Sequence, residues 1–196
     1  MNENEKVTPV AEETAAEKPE VQEDFTVGLA LLDAVPVVLF AASGIIIGMA
    51  ASSPIVIAGA VLMVIGGMCK VIWKLLQGLK IGNYPVLNKA FVPCMASGFM
   101  SLVAGIVVAF VQKKLVVKTV LKSLGSFPSI LFFGIAGGAM GMMGKVKSAQ
   151  SRDDFNKDAK KNWLAEIVNS VAQLALFLAL LFAKKKAADI EAEDAE

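Results

Sequence analysis

The chain has 196 residues, of which 56% are hydrophobic, and its mean hydropathy is +0.62. Soluble domains contain about 45 to 50% apolar residues, so this composition excludes an ordinary soluble fold. The 19 basic and 18 acidic residues nearly cancel, but acids dominate both ends and the body from 25 to 186 carries a net charge of +12.

The first 24 residues differ from the rest of the chain. They carry eight acids against two lysines and few large apolar side chains. They are predicted to be disordered because they cannot bury enough apolar surface to fold. A secretory signal would need a basic start followed by an apolar core, so we expect the first apolar run to be retained as a span. Residues 187–196, with five acids and no base, are predicted to form a second disordered acidic tail.

Residues 25–186 form one predicted transmembrane domain. Two of its apolar runs contain 23 and 22 consecutive residues without a charge. About 20 apolar residues cross a hydrocarbon core of about 30 Å as a helix, whereas β-barrel strands are shorter and alternate. The predicted fold is therefore an all-α integral membrane protein, a bundle of five transmembrane helices at about 28–50, 54–77, 91–111, 127–144 and 163–183.

The segment after the third span is basic. Lys114, Lys118 and Lys122 are spaced four residues apart and share one side of a helix. This pattern predicts an interfacial or protruding helical extension.

The distribution of Lys and Arg indicates the orientation of the bundle. With the N-terminus inside and five spans, the inner side holds ten basic residues and the outer side seven. If the third apolar run were re-entrant, leaving four spans, the counts would be eleven and six. Both alternatives place the N-terminus in the cytoplasm and the chain in the plasma (cytoplasmic) membrane.

The sequence offers little for catalysis. Histidine is absent, and Cys69 and Cys94 lie singly within apolar runs, where free cysteine behaves as a small hydrophobe. The common metal sites and His-based triads are excluded. We therefore expect no enzymatic activity, no metal and no cofactor. Basic residues that flank apolar spans suit anionic lipid headgroups and not nucleic acid.

Four charged residues lie near the predicted inner ends of spans: Asp33, Lys70, Lys74 and Glu166. Charge in hydrocarbon is costly unless it is paired or faces a cavity. These two acids and two bases could form one cluster beneath the inner headgroups. Alternatively, both lysines extend to the interface while Asp33 and Glu166 favour the first turns of their helices.

The fifth span carries a polar stripe. Glu166, Asn169, Ser170 and Gln173 fall within an arc of about 100° on a helical wheel. Such a stripe faces protein or water, as hydrogen-bonding groups between helices or as one wall of a polar pathway.

The stretch FFGIAGGAMGMMGK, residues 132–145, contains five glycines: Gly134, Gly137, Gly138, Gly141 and Gly144. It is not a phosphate-binding loop, since Ala139 and Val146 occupy the Walker A positions for glycine and Ser/Thr. The five glycines instead share an arc of about 120° and form overlapping G-x-x-x-G pairs. They predict a helix-packing face.

These features favour a non-enzymatic assembly, scaffold or regulatory subunit. The alternative is a small oligomeric transporter or channel subunit whose polar path is lined by the fifth span. The expected partners are the lipid bilayer with its anionic headgroups and either a second copy or another membrane protein.

Overall fold

The computed structural model describes residues 25–148 and 159–193, and within these ranges the chain is helical without strands. The helices there are α1 (Val27–Ala51), α2 (Pro54–Gly78), α3 (Pro85–Val111), α4 (Val117–Leu124), α5 (Ser129–Ser148) and α6 (Ala159–Glu193). Four of them, α1, α2, α3 and α6, are long and apolar enough to cross a membrane, and α4 with α5 makes a bent fifth candidate. The predicted all-α membrane bundle is confirmed. The predicted tail over 1–24 lies outside the described residues.

Local sequence signals set the ends of the first three helices. The Thr26 hydroxyl accepts the Leu29 N–H at 3.2 Å and caps α1. Pro54 and Pro85 begin α2 and α3, where a missing N–H costs nothing. The third helix thus starts six residues before the predicted boundary at about 91, because Pro85 initiates the helix instead of ending a loop.

The long helices form a row in the order α3, α2, α1, α6, α5. Helices α2 and α3 are antiparallel, since Gly59 lies opposite Leu102 while Gly66 lies opposite Cys94. A Cβ added at Gly59 would stand 2.6 Å from the Gly98 carbonyl oxygen, so these helices approach closely through small residues.

The third apolar run is one continuous helix of 27 residues. Its length is about 40 Å, which exceeds the hydrocarbon core of about 30 Å. The re-entrant alternative for this run is therefore wrong, because α3 packs antiparallel along α2 over most of its length. Helix α6 starts at the same end of the bundle as α1, since Gly28 of α1 lies beside Trp163.

Helix α4 is set at 77° to α5. The predicted extension after the third span therefore contains a short helix that crosses the end of the bundle. It packs against α6 and only slightly against α5.

The predicted disordered C-terminal tail is wrong for residues 187–193, which continue α6 to Glu193. Two features explain this. Alanine at 187, 188 and 192 favours helix, and the Ile190 side chain is only 4% exposed, so packing holds this segment. With 35 residues, α6 is about 52 Å long and must extend beyond the hydrocarbon core.

Candidate intramembrane charge cluster

Three neighbouring helices bring four charged side chains together. Helix α1 supplies Asp33, α2 supplies Lys70 and Lys74, and α6 supplies Glu166. We refer to these four residues as the charge cluster. The helices meet there because α1 packs between α2 and α6 in the row.

The charge cluster lies below the helix ends. Asp33 is six residues from the start of α1, about 9 Å along the axis. Glu166 is seven residues from the start of α6, about 10 Å along its axis. Both acids therefore lie at a similar depth from the same end of the bundle.

Lys70 pairs with both carboxylates. Its Nζ donates to Glu166 Oε1 at 2.6 Å and to Asp33 Oδ1 at 3.4 Å. The same ammonium lies 5.5 Å from the centroid of the Phe91 ring, which α3 contributes. A cation at this distance from an aromatic face is attracted by the ring quadrupole. Helix α3 thus adds an aromatic wall beside the cluster.

Lys74 also lies between the two acids. Its Nζ is 2.8 Å from Glu166 Oε1 and 3.1 Å from Asp33 Oδ2. The residue has no exposed surface, and Glu166 and Asp33 are only 2% and 3% exposed. The cluster therefore combines two positive and two negative charges with a net charge of zero, which is the arrangement that makes burial tolerable.

This geometry differs from the alternative in which the lysines extend to the interface and the acids serve the first helical turns. Thr26, and not Asp33, caps α1. Lys74 is enclosed and bonded to Glu166. Both lysines turn inward because the carboxylates of Asp33 and Glu166 lie on the neighbouring helices at the same depth.

The polar stripe of α6 divides into two parts. Ser170 Oγ donates to the backbone carbonyl of Glu166 at 2.7 Å and so bonds within its own helix. Asn169 is half-buried, whereas Gln173 is buried and its Oε1 has no hydrogen-bond partner among the described residues. Of the four residues of the polar stripe, the structure therefore places only Glu166 in the charge cluster. Asn169, Ser170 and Gln173 lie outside it.

Two buried polar residues were missed at the sequence level. Gln77 follows Lys70 and Lys74 at positions i+7 and i+3, so it shares their face of α2. It is fully buried, and within the described chain neither its oxygen nor its nitrogen has a hydrogen-bond partner. Asn162, one turn before Glu166 on α6, is also fully buried. The i, i+4, i+7 spacing on α2 was the signal that would have identified Gln77.

The predicted glycine face of α5 (Gly134, Gly137, Gly138, Gly141 and Gly144) points away from α6. The α6-facing side of α5 carries the buried Ala136 and also Phe132, which stacks on Phe182 at 5.8 Å between ring centroids. A Cβ added at any of the five glycines would meet no atom of another described element within 4 Å. The face has no partner within the described chain, and its role in packing stays a prediction.

Within residues 25–148 and 159–193, no three His, Cys, Asp or Glu side chains are grouped as a metal site requires. No protein-family model, curated protein or solved structure matches the chain. The fold and the site alone define its class. It is a multi-helix membrane protein in which three adjacent helices share a buried, ion-paired charge cluster.

Proposed function

We propose that the protein is a non-enzymatic membrane subunit that assembles with a second copy of itself through the glycine face of α5. The observation that carries this proposal is the contrast between two sets of glycines. In the packed helices, a Cβ added at Gly44, Gly59 or Gly105 would lie 2.6 or 2.7 Å from the neighbouring helix. The glycines of α5 are similarly clustered on one face but meet no helix of the described chain.

A second copy is the occupant that best fits this face. Overlapping G-x-x-x-G pairs allow two identical helices to approach closely across a two-fold axis. Helix α5 lies at the end of the row and packs in the described chain mainly on α6, so the opposite side is open to a second bundle. The small residues would remove the steric barrier that large side chains present to such an approach.

The charge cluster supports a structural and not a catalytic role. Its two lysines and two carboxylates neutralise one another through contacts between 2.6 and 3.4 Å. No charge in this group is left over to act on a substrate. The cluster instead fixes how α1, α2 and α6 sit against one another, because a buried charge without its partner is strongly unfavourable.

We further propose that the chain lies in the cytoplasmic membrane with its N-terminus inside. The support is the predicted excess of Lys and Arg on the N-terminal side, which is eight against seven once the ion-paired Lys70 and Lys74 of the charge cluster are set aside.

Disulfide cross-linking in native membranes tests the proposed dimer. The background carries Cys69→Ala and Cys94→Ala, and a single cysteine is then introduced as Gly138→Cys. We expect oxidation to give a covalent dimer. The matched control is Met100→Cys on α3. Met100 is also exposed, at 68%, but it does not belong to the glycine face of α5. A dimer from the control in equal yield, or a cross-link from Gly138→Cys to a different protein only, would overturn self-association.

A pair of leucine variants provides the second arm. Gly141→Leu should shift the protein from dimer to monomer in gentle detergent, because the added side chain separates the two helices. Met143→Leu, a half-buried residue outside the glycine face, should leave the dimer intact. Thermal unfolding of both variants separates loss of association from loss of fold. Equal oligomeric states for a folded Gly141→Leu and the unaltered chain would contradict the proposal.

A transporter or channel subunit is a second candidate, favoured by Gln77 and Gln173. Both are buried with unpartnered side-chain atoms in the described part of the chain. An unsatisfied buried polar group costs about 1–3 kcal/mol, a cost that water would remove. Gln77 lies one turn from Lys74, and Gln173 lies seven residues, about 10 Å, beyond Glu166. Together with the charge cluster they mark a polar line from one end of the bundle toward its middle.

Flux through reconstituted vesicles tests this candidate. Glu166→Gln, Gln173→Leu and Lys70→Met should each reduce proton or monovalent-ion flux, measured with an entrapped pH dye and with ion-selective electrodes. Val171→Leu, on an exposed part of α6, is the control. Unchanged flux in all three folded variants would eliminate the polar path.

A further inference from the structure

At the end of the bundle opposite the charge cluster, several exposed lysines lie on α4 and next to it. Lys114 Nζ donates to the Ser52 carbonyl at 3.2 Å, which ties the end of α3 to the turn between α1 and α2. Lys118 and Lys122 follow on α4. The stacking of Phe132 on Phe182 aligns the start of α5 with the region of α6 just before Lys184, Lys185 and Lys186. Five elements therefore meet at this end of the bundle: the end of α3, the α1–α2 turn, α4, the start of α5 and the C-terminal part of α6.

Helix α4 has the orientation of a helix that lies at a membrane surface. It is bent by 77° from α5, whose apolar residues run beside α6. Since α6 is long and apolar enough to span the membrane and α5 packs on it, a helix bent by 77° from α5 is expected to lie close to the membrane plane. It also packs on α6, so its position is fixed by the fold.

The residues of α4 divide into three sides. Ser123 is buried against the protein. Val117 and Leu121, about 40° apart on the wheel, are apolar yet 55% and 65% exposed. Lys118 and Lys122 are exposed on the adjacent side, at about 100° and 140° from Val117. Exposed apolar and basic sides next to each other match the boundary between acyl chains and phosphates.

The apolar side continues beyond α4. Phe127, in the connection to α5, is 80% exposed, and Val116 is also exposed. Exposure of these apolar side chains to water is unfavourable. In the acyl region of a bilayer the same side chains would contact hydrocarbon instead of water.

The acids at this end are set further out than the lysines. On α6, Asp189 lies three residues beyond Lys186 and Glu193 seven residues beyond it, about 4.5 and 10.5 Å along the axis. The lysines thus lie nearer the hydrocarbon than the acids do. This order allows lysine contact with lipid phosphates while the acids extend into water.

We propose that α4 and the Lys184–Lys186 segment of α6 form a binding surface for anionic phospholipid headgroups in the adjacent leaflet. Val117 and Leu121 insert among the acyl chains, and Lys118 and Lys122 donate to headgroup phosphates. The lysines of α6 supply a second row of donors. This surface is distinct from the glycine face and does not depend on dimerisation.

Native mass spectrometry of the full chain in detergent tests the proposal. The probes are phosphatidylglycerol and phosphatidylcholine with the same acyl chains. We expect the unaltered protein to prefer phosphatidylglycerol. Lys118→Gln with Lys122→Gln should lower its affinity for phosphatidylglycerol about 30-fold, as about 1 kcal/mol per lysine near a surface implies.

Three controls make the result specific. Lys89→Gln with Lys160→Gln removes the same charge at the other end of the bundle, from two exposed lysines, and should leave the affinity within about twofold. Lys118→Arg with Lys122→Arg should retain binding. Inorganic phosphate should not compete, because the surface requires the acyl chains as well as the phosphate. Equal losses in the two glutamine pairs, no preference for phosphatidylglycerol, or full competition by phosphate would overturn the proposal.

Discussion

Lys74 is fully enclosed, yet its ammonium lies within 3.1 Å of two carboxylate oxygens from two other helices. A lysine in this position cannot extend to water without breaking both contacts. Replacing an entire buried ion pair by apolar groups is often neutral, but removing one partner leaves an uncompensated charge. The stability of the protein therefore depends on the equal number of positive and negative charges in the charge cluster. Removing one charged residue should lower the free energy of unfolding far more than removing one acid together with one lysine.

The first prediction concerns Glu166, which contacts both lysines. Glu166→Gln leaves two ammonium groups facing one carboxylate and should lower the free energy of unfolding by about 3–5 kcal/mol. Thermal or denaturant unfolding in detergent measures this loss. Adding Lys70→Gln restores neutrality, so the double variant should be more stable than Glu166→Gln alone, as a double-mutant cycle would report.

Lys185→Gln is the control for that experiment, because Lys185 is exposed on the same helix. It should change stability by less than about 0.5 kcal/mol. A Glu166→Gln variant as stable as this control would mean that the four charges do not stabilise one another.

At the scale of helices, close approach depends on where a glycine lies and not on how many glycines a helix contains. Gly59 and Gly98 bring α2 and α3 into near backbone contact. The five glycines of α5 leave that helix with an open side in the described chain. Glycines are thus tightly packed against a neighbouring helix in α2 and α3, whereas those of α5 have open space beside them in the described chain.

The second prediction compares Gly59→Ala with Gly134→Ala. The Cβ of the first would stand 2.6 Å from backbone atoms of α3, so α2 and α3 must separate. This overpacking should cost about 1–3 kcal/mol of unfolding free energy. The Cβ of Gly134→Ala would meet no other described element within 4 Å, so this substitution should be neutral or slightly stabilising in the monomer.

Thermal unfolding of the two alanine variants in monomer-forming detergent makes this comparison. Equal destabilisation of both, or none in Gly59→Ala, would show that the α2–α3 contact does not limit residue size.

At the scale of the whole molecule, the direction of each helix determines which connections share a side. Helices α1 and α6 start at the same end, and α3 crosses from that end to the other. The bent unit of α4 and α5 must then return the chain. With this path, the end of α3 and the C-terminal part of α6 lie on the same side of the membrane, opposite the side where α1 begins.

The third prediction tests this path by labelling with a membrane-impermeant maleimide in intact cells. On a background of Cys69→Ser and Cys94→Ser, Gln112→Cys and Lys185→Cys should react from outside. Ile81→Cys, in the exposed connection between α2 and α3, should react only after permeabilisation.

The labelling outcomes are distinct. Reaction of Ile81→Cys alone in intact cells would show that the chain has the opposite orientation, with its N-terminus outside. Reaction of Gln112→Cys and Lys185→Cys from opposite sides would show that α4 and α5 form a re-entrant segment and not a crossing.

The fold was largely predictable because continuous apolar runs of membrane length leave the backbone no alternative to helix. The boundaries of α1 and α2 follow from Thr26, Pro54 and the turn between the helices. The C-terminal helix was not predictable in the same way. Its acidic composition resembles a disordered tail, and only tertiary packing of Ile190 identifies it as structured.

The sequence by itself determined the class of fold, the approximate spans and the common depth of Asp33, Lys70, Lys74 and Glu166, because hydropathy and helical rise are local properties. Only the tertiary structure decided which of these groups touch and that α1 lies between α2 and α6. It also decided that the glycine face of α5 has no partner among the described residues. Neighbour relations between helices depend on side chains far apart in the chain, and a periodic pattern gives the face of each helix but not the helix that it meets.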